Sequence, residues 1–350
     1  MESKIILKKS LCIIYHSPCY DGTYGAINAY LYYKNYKNDK YNITFKPQKN
    51  NIPIFSLIDK KYNKIISIDL CLKDEDINFL LDNNNIEISI LIFDHHCSWF
   101  EKYNSEYKIK LKDRKKLKII YDEKNIKSAC GLSFDFYKNK SLLKKNNFIN
   151  GENIFNDKLK EINMMVEDAD TANYKLKFSQ EFKAGLLQKY PLKTTDLTYK
   201  TFEKIKNFTD ITTSYLVGIG DKSLKKLKKQ AINILKTNPI YIVELKNNNK
   251  FLMCITEVKY IRNYAGPILG KISQKKGFLP IGAIVFSISK GLYEFSMRAS
   301  DESCDVSKIA DIYGGGGHKK AAAFNLEANN INKLIIQQID IVKEIESLSL

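Results

Sequence analysis

Residues 89–99 read SILIFDHHCSW, an apolar run that stops at one carboxylate and two imidazoles, Asp94, His95 and His96. The run from Ile90 to Phe93 is short, unbroken and rich in isoleucine, the pattern of a strand buried on both faces. The chain has only four histidines, and two stand side by side here, directly after that strand. Three more stretches repeat the design. Residues 11–16 (LCIIYH) run into the helical GTYGAINAYLYYKNY, residues 65–70 (IISIDL) precede KDEDINFLL, and residues 117–122 (LKIIYD) precede the helical SACGLSFDFYK. Strands alternating with helices predict βαβ units and a parallel sheet, an α/β fold.

In an open parallel sheet, ligands bind beyond the carboxyl ends of the strands. His16, Cys19 and Asp21 follow the first strand, Asp69 ends the IISIDL strand, and Asp94, His95 and His96 follow SILIF. A helical pattern further on ends in VEDADTANY, offering Glu167, Asp168 and Asp170. An isolated aspartate after a strand reads as a turn or cap residue, and an isolated histidine as a satisfied one. Three of four histidines and at least three aspartates at successive strand ends read instead as a divalent-metal centre. Mixed imidazole and carboxylate donors suit Mn²⁺, Co²⁺, Fe²⁺ or Zn²⁺, with Mg²⁺ where oxygen dominates.

At 350 residues the chain has room for about two domains, and 44% hydrophobic with 27% charged residues is a globular composition. No apolar run approaches the roughly 18 residues of a membrane span. Lys4, Lys8 and Lys9 interrupt the N-terminal stretch, which does not read as a secretory signal. Seven scattered cysteines with no CxxC pair argue against a disulfide framework or zinc knuckle, and predict a reducing, cytoplasmic setting. The net charge of +17 favours polyanions as partners, although lysine- and tyrosine-rich stretches such as YYKNYKNDKYN read mainly as compositional drift. Nothing here specifies an oligomeric state.

After a largely helical region, DKSLKKLKKQAINILKTNP reads as an amphipathic connector closed by Pro239. Strands near 240–258 and 280–298, with helices between, predict a smaller α/β domain. The expected division is 1–205, a connector over 206–239, and 240–350. In the last part Gly314, Gly315, Gly316, Gly317 and His318 form GGGGH, whose backbone N–H groups could wrap an anion. Arg298, in YEFSMRAS, is one of only three arginines, and Arg262 and Asn263 are weaker candidates.

Taken in order, YHSPCYDG, SIDL, FDHH, VEDAD and YGGGGHKKAAAF resemble the DHH phosphoesterase superfamily with its DHH-associated C-terminal domain, from residue 11 to about residue 327. The resemblance implies a parallel-sheet catalytic domain, a smaller substrate-binding domain and an active site in the cleft between them. It implies hydrolysis of a phosphodiester or phosphoanhydride, with short oligonucleotides or related nucleotides as the first choice of substrate. An exopolyphosphatase or pyrophosphatase, or an inactive nucleic-acid-binding protein, are the alternatives. Two divalent ions are implied, Mn²⁺ first, with Mg²⁺ or Co²⁺ possible. His16, Asp21, Asp69, His95 and Asp168 would surround them, with Asp69 as the bridge and Asp170 the alternative to Asp168. His96 would face the scissile phosphate, Asp94 would hold the imidazoles, and Arg298, His318 and the glycine amides would grip substrate. Many members carry aspartate where Cys19 stands, so Cys19 is either a thiolate ligand or a packing residue.

Overall fold

The computed structural model describes residues 8–37, 40–49, 52–55, 62–82, 88–96, 104, 116–122, 126–142, 154–171, 173–191, 213–245 and 249–348. The chain divides into two compact units, residues 1–220 and 221–350.

The first unit holds five parallel strands: β1 (Lys9–His16), β2 (Tyr41–Gln48), β3 (Lys64–Ile68), β4 (Ser89–Phe93) and β5 (Leu117–Ile120), in the order β2-β1-β3-β4-β5. Alternate residues serve opposite cores. Leu11, Ile13, Tyr15, Ile66, Ile68, Leu91 and Phe93 pack on one face. Cys12, Ile14, Ile65, Ile90 and Ile92 pack on the other. With both faces covered, every position of the central strands gains from being apolar, roughly 1.5–3 kcal/mol per large side chain, and the expected parallel sheet is found.

Five helices lie wholly within this unit among the described residues: α1 (Tyr20–Tyr36), α2 (Asp74–Asp82), α3 (Ala129–Leu142), α4 (Asp157–Asp170) and α5 (Ser179–Lys189). Helix α1 sinks into the first core through Tyr24, Tyr30, Tyr32, Tyr33 and Tyr36. Three of these lie in the stretch that reads as compositional drift; their rings are structural, with Tyr32 centred 5.0 Å from Tyr137. Close approach of α1 to the sheet needs glycine. A Cβ on Gly22 would stand 2.5 Å from the His16 carbonyl oxygen, and one on Gly25 would stand 2.5 Å from Ile68 Cγ2.

Helix α6 (Thr213–Thr237) begins in the first unit and ends in the second. The expected boundary between 205 and 206 lies outside the described residues, and the expected connector is described only from residue 213, where it is this helix. The second unit carries a seven-stranded mixed sheet: β6 (Ile240–Leu245), β7 (Asn249–Ile255), β8 (Ile281–Ser289), β9 (Leu292–Ala299), β10 (Gly316–His318), β11 (Ala321–Glu327) and β12 (Ile335–Ile339). Its order is β10-β11-β9-β8-β7-β6-β12, with β7 and β8 parallel and the other pairs antiparallel. Helices α7 (Arg262–Lys275), α8 (Val306–Ile312), α9 (Ala328–Leu334) and α10 (Val342–Ser347) complete it. Residues of α7 and α10 join one core and residues of α8 and α9 the other. No described helix is long and apolar enough to cross a membrane.

Helix α7 meets β8 at backbone distance. A Cβ on Gly282 would stand 2.1 Å from the Gly266 carbonyl oxygen and 2.5 Å from Leu269 Cβ. Rigid backbone on one side leaves no room to yield, so Gly282→Ala is expected to destabilise the second unit by about 1–3 kcal/mol, the usual cost of overpacking. Urea unfolding followed by circular dichroism checks this; an unchanged midpoint would contradict the close contact.

Candidate metal centre

The strand order reverses between β1 and β3, since the chain leaves β1 for β2 on one side and returns to β3 on the other. Such a switch point opens a crevice at the carboxyl ends of the strands. His16 ends β1 and Asp69 follows β3, and they meet there, His16 Nδ1 lying 3.0 Å from Asp69 Oδ2. Asp69 has φ +58°, a left-handed conformation that aspartate tolerates better than most residues. Its N–H donates to the Phe93 carbonyl at 2.9 Å, tying the turn to β4. Cys19 immediately precedes α1, and donor atoms of His16, Cys19 and Asp69 all lie within 4.8 Å of one another.

A second donor group, Asp21, His95 and Asp170, meets the same criterion of 4.8 Å. His95 Nε2 lies 3.6 Å from Asp21 Oδ2, 3.4 Å from Asp69 Oδ1 and 3.6 Å from Asp170 Oδ2. Asp69 therefore addresses both groups, one carboxylate oxygen to each. Asp21 is held from outside the cluster, accepting from the backbone N–H of Ala129 at 2.9 Å and of Cys130 at 2.8 Å, at the start of α3. The thiol of Cys19 donates to Asp170 Oδ1 at 3.9 Å.

Burial and then the carboxylates of Asp69 and Asp170 push Asp21 up to about 6. Burial also disfavours a charged Asp69, but hydrogen bonds from His16 and His95 outweigh it and hold that carboxyl well below the usual range. For His95, burial opposes protonation, while Asp69 and Asp21 prevail and raise it to about 9. Burial followed by the same three aspartates keeps the Cys19 thiol well above its ordinary value. Three buried or half-buried carboxylates around one imidazole form a site that a cation would relieve. Hard oxygen with borderline nitrogen donors fits a divalent first-row ion.

Asp168 and Asp170 are two residues apart on α4, about 200° around the helix axis, so they cannot face one point. Asp170 joins Asp21 and His95. Asp168 turns away, accepting from the backbone N–H of Lys175 at 2.9 Å and of Leu176 at 3.0 Å. Asp168, expected among the ligands, falls in neither donor group, whereas its alternative, Asp170, joins the second.

Beyond β4, Asp94 is fully buried and its Oδ1 accepts from the N–H of His95 at 2.8 Å and of His96 at 3.3 Å, with His96 Nδ1 at 2.7 Å. Asp94 thus orients His96. Burial works against a charged His96, yet Cys71 and Asp94 beside it raise the imidazole well above its usual range. Cys71, two residues after Asp69, was not singled out in the sequence; its spacing from that aspartate was the signal.

In the second unit, Arg298 of β9 is clamped by Asn263, whose Oδ1 accepts from Nε at 3.1 Å and Nη2 at 2.7 Å. Arg262 instead reaches Glu294, with Nη1 3.4 Å from Oε1. Across the sheet Arg298 pairs with Ala321, and Ala321 with His318. Directly paired residues point to the same face, so Arg298 and His318 flank one small alanine. The glycine run, whose N–H groups were expected to wrap an anion, spends two of them within the fold. Gly314 N–H donates to Asp311 O and Gly315 N–H to Ala310 O, both at 2.9 Å, closing the end of α8. Gly314 has φ +72°, the left-handed geometry that ends helices. Gly316 and Gly317 enter β10, where a Cβ on Gly317 would stand 2.5 Å from the Ala321 carbonyl.

Residues 248–344 match the model of the DHHA1 domain. No curated protein matches the chain. Among solved structures, the chain is similar to the pGpG-specific phosphodiesterase PggH of Vibrio cholerae, at 14% identity and TM-score 0.46, covering 93% of this chain and 96% of that one. It is also similar to CDC45 of Entamoeba histolytica, at 9% identity and TM-score 0.47, covering 93% of each chain. An exopolyphosphatase-related protein of Bacteroides fragilis is 12% identical with TM-score 0.45, over 91% of this chain and 86% of that one. Likenesses this distant carry no functional argument. The resemblance read from the motifs is borne out where a family model reaches: the chain carries a C-terminal DHHA1 domain.

Proposed function

We propose that the protein is a divalent-metal-dependent phosphohydrolase acting on a phosphodiester or phosphoanhydride, with short oligonucleotides or related nucleotides as the first substrate class. The observation that carries this is Asp69, with one oxygen 3.0 Å from His16 Nδ1 and the other 3.4 Å from His95 Nε2. In this assignment His16, Cys19 and Asp69 would hold one ion, and Asp21, Asp69, His95 and Asp170 a second. When bound, the ions supply charge neutralisation at a phosphoryl group and acidify the attacking water. His96, oriented by Asp94, donates a hydrogen bond to the charge that develops on the reacting phosphate. Arg298, clamped by Asn263, and His318 hold a neighbouring phosphate. The glycines shape the β10–β11 hairpin beside them.

Purified protein loaded with Mn²⁺ is expected to hydrolyse at least one of short RNA, short DNA, phosphoadenosine phosphate, a linear dinucleotide, a cyclic dinucleotide and polyphosphate. Turnover of polyphosphate alone would replace the nucleotide assignment with the exopolyphosphatase one, and no turnover of any substrate would support a non-catalytic binder. The ligand assignment has its own check, by calorimetric Mn²⁺ titration. Asp170→Asn is expected to weaken ion binding roughly tenfold or more, at least the loss seen when even supporting residues of metal sites are changed. Asp168→Asn should leave ion binding in place and cost about 1–3 kcal/mol of stability, through its two backbone hydrogen bonds. The reverse pattern would restore Asp168 as the ligand.

A further inference from the structure

Beside the two donor groups lies a third, formed by Cys71, Asp94 and His96, with donor atoms again within 4.8 Å of one another. It shares no residue with either of those two. Its composition differs too: one sulfur, one imidazole nitrogen and one carboxylate oxygen, the set that zinc and other soft or borderline ions take in preference to Mn²⁺ or Mg²⁺. Neighbouring donors in a tetrahedral zinc site stand roughly 3.3–3.6 Å apart, as bond lengths of about 2.0–2.3 Å require. Donor atoms within 4.8 Å of one another must close by at most about 1.5 Å to reach it.

Asp94 supplies an independent observation. Its Oδ1 accepts the hydrogen bonds described above, whereas Oδ2, on a side chain with 0% exposure, has no hydrogen-bond partner among the described residues. A buried carboxylate oxygen without a donor is costly, because nothing replaces the water it lost. A cation held by Cys71 and His96 and bound through Oδ2 would satisfy it. Both of those residues are half-buried, which leaves an entry path to the buried carboxylate.

We propose that Cys71, Asp94 and His96 form a zinc-class cation site, separate from the catalytic ion pair, whose occupancy withdraws His96 from the substrate phosphate and so inhibits hydrolysis. Binding replaces the thiol proton and any imidazole proton with the ion and releases them to solvent. The inhibitory consequence rests on the role proposed above for His96. The cation site itself does not.

Co²⁺ serves as a visible stand-in for zinc, because a thiolate ligand gives it a ligand-to-metal charge-transfer absorption in the near ultraviolet. The titration is made on full-length Cys19→Ser protein, which removes the thiol of the first donor group. Co²⁺ should produce the thiolate band, Zn²⁺ should abolish it, and excess Mg²⁺ should not. Adding Cys71→Ser should remove the band while circular dichroism stays unchanged; should that variant misfold, Cys71→Ala is read the same way. A band that survives loss of Cys71, or no band in the Cys19→Ser protein, overturns the site. Hydrolysis is read separately. Zn²⁺ added to Mn²⁺-loaded parent protein should inhibit at least tenfold, and Cys71→Ser should relieve that inhibition. Inhibition unchanged in Cys71→Ser, despite a lost Co²⁺ band, would overturn the inhibitory role and leave the site standing. Failure of the hydrolase assignment would show as no Mn²⁺-dependent turnover beside an intact Co²⁺ spectrum, so the two failures are distinguishable.

Discussion

Asp69→Asn is expected to lower hydrolysis by at least about three orders of magnitude, because it weakens both proposed ion sites at once and removing a single transition-state donor already costs 10²–10³. Asparagine is the informative replacement. It tolerates the left-handed backbone at φ +58°, so strain is not added to the loss of charge. It can also keep a hydrogen bond to His16 while giving up the charge that both groups share. Ion binding measured by calorimetry should fall in the same variant, with circular dichroism unchanged. Full activity in folded Asp69→Asn would remove the bridging role and with it the paired-ion assignment.

The second large effect separates chemistry from grip. His96→Ala is expected to lower kcat by about two to three orders of magnitude, as loss of a donor to developing charge does, with a modest effect on substrate binding. Arg298→Ala and His318→Ala should chiefly raise KM, because a phosphate contact present before and during reaction contributes to both states alike. Asn263→Ala should resemble Arg298→Ala more weakly, since Asn263 acts by holding the guanidinium. Binding of a non-hydrolysable substrate analogue is measured beside the kinetics. Should Arg298→Ala and His318→Ala bind it as tightly as the parent protein while His96→Ala alone loses it, the proposed division of labour would be reversed.

The central strands of the first unit were legible because burial on both faces leaves an unbroken apolar run, as in Ile90–Phe93. Strand β2 was not, because YNITFKPQ lies at the sheet edge with most of its positions partly or fully exposed. Its alternation is diluted by lysine, proline and glutamine. Tyrosines 32, 33 and 36 were hidden for a related reason, since a Tyr-, Lys- and Asn-rich stretch has the composition of a solvated face while its rings alone turn inward. In the second unit, β10 and β11 escaped because glycine and alanine carry little strand signal. Their pairing follows from contacts with β9 that no local pattern encodes.

The candidate centre was legible where strand ends dictate direction. His16, Asp69 and His95 each follow a buried strand and had to converge. The choice between Asp168 and Asp170 was open because both lie at the end of one helix, and only the return of residues 175–176 onto Asp168 decides which faces the cluster. The local role of the glycines was not legible because a run after a helix serves equally as an anion nest or a helix terminator. Here Gly314 and Gly315 spend their N–H groups on the end of α8.

The most direct test of the paired-ion account is equilibrium dialysis of chelator-stripped protein against Mn²⁺, with hydrolysis measured on the same sample before and after loading. The account predicts no turnover in the stripped protein, two ions bound per chain after dialysis, and activity returning with them. Undiminished hydrolysis by thoroughly stripped protein, or a loaded protein that is active with no ion bound, would contradict it.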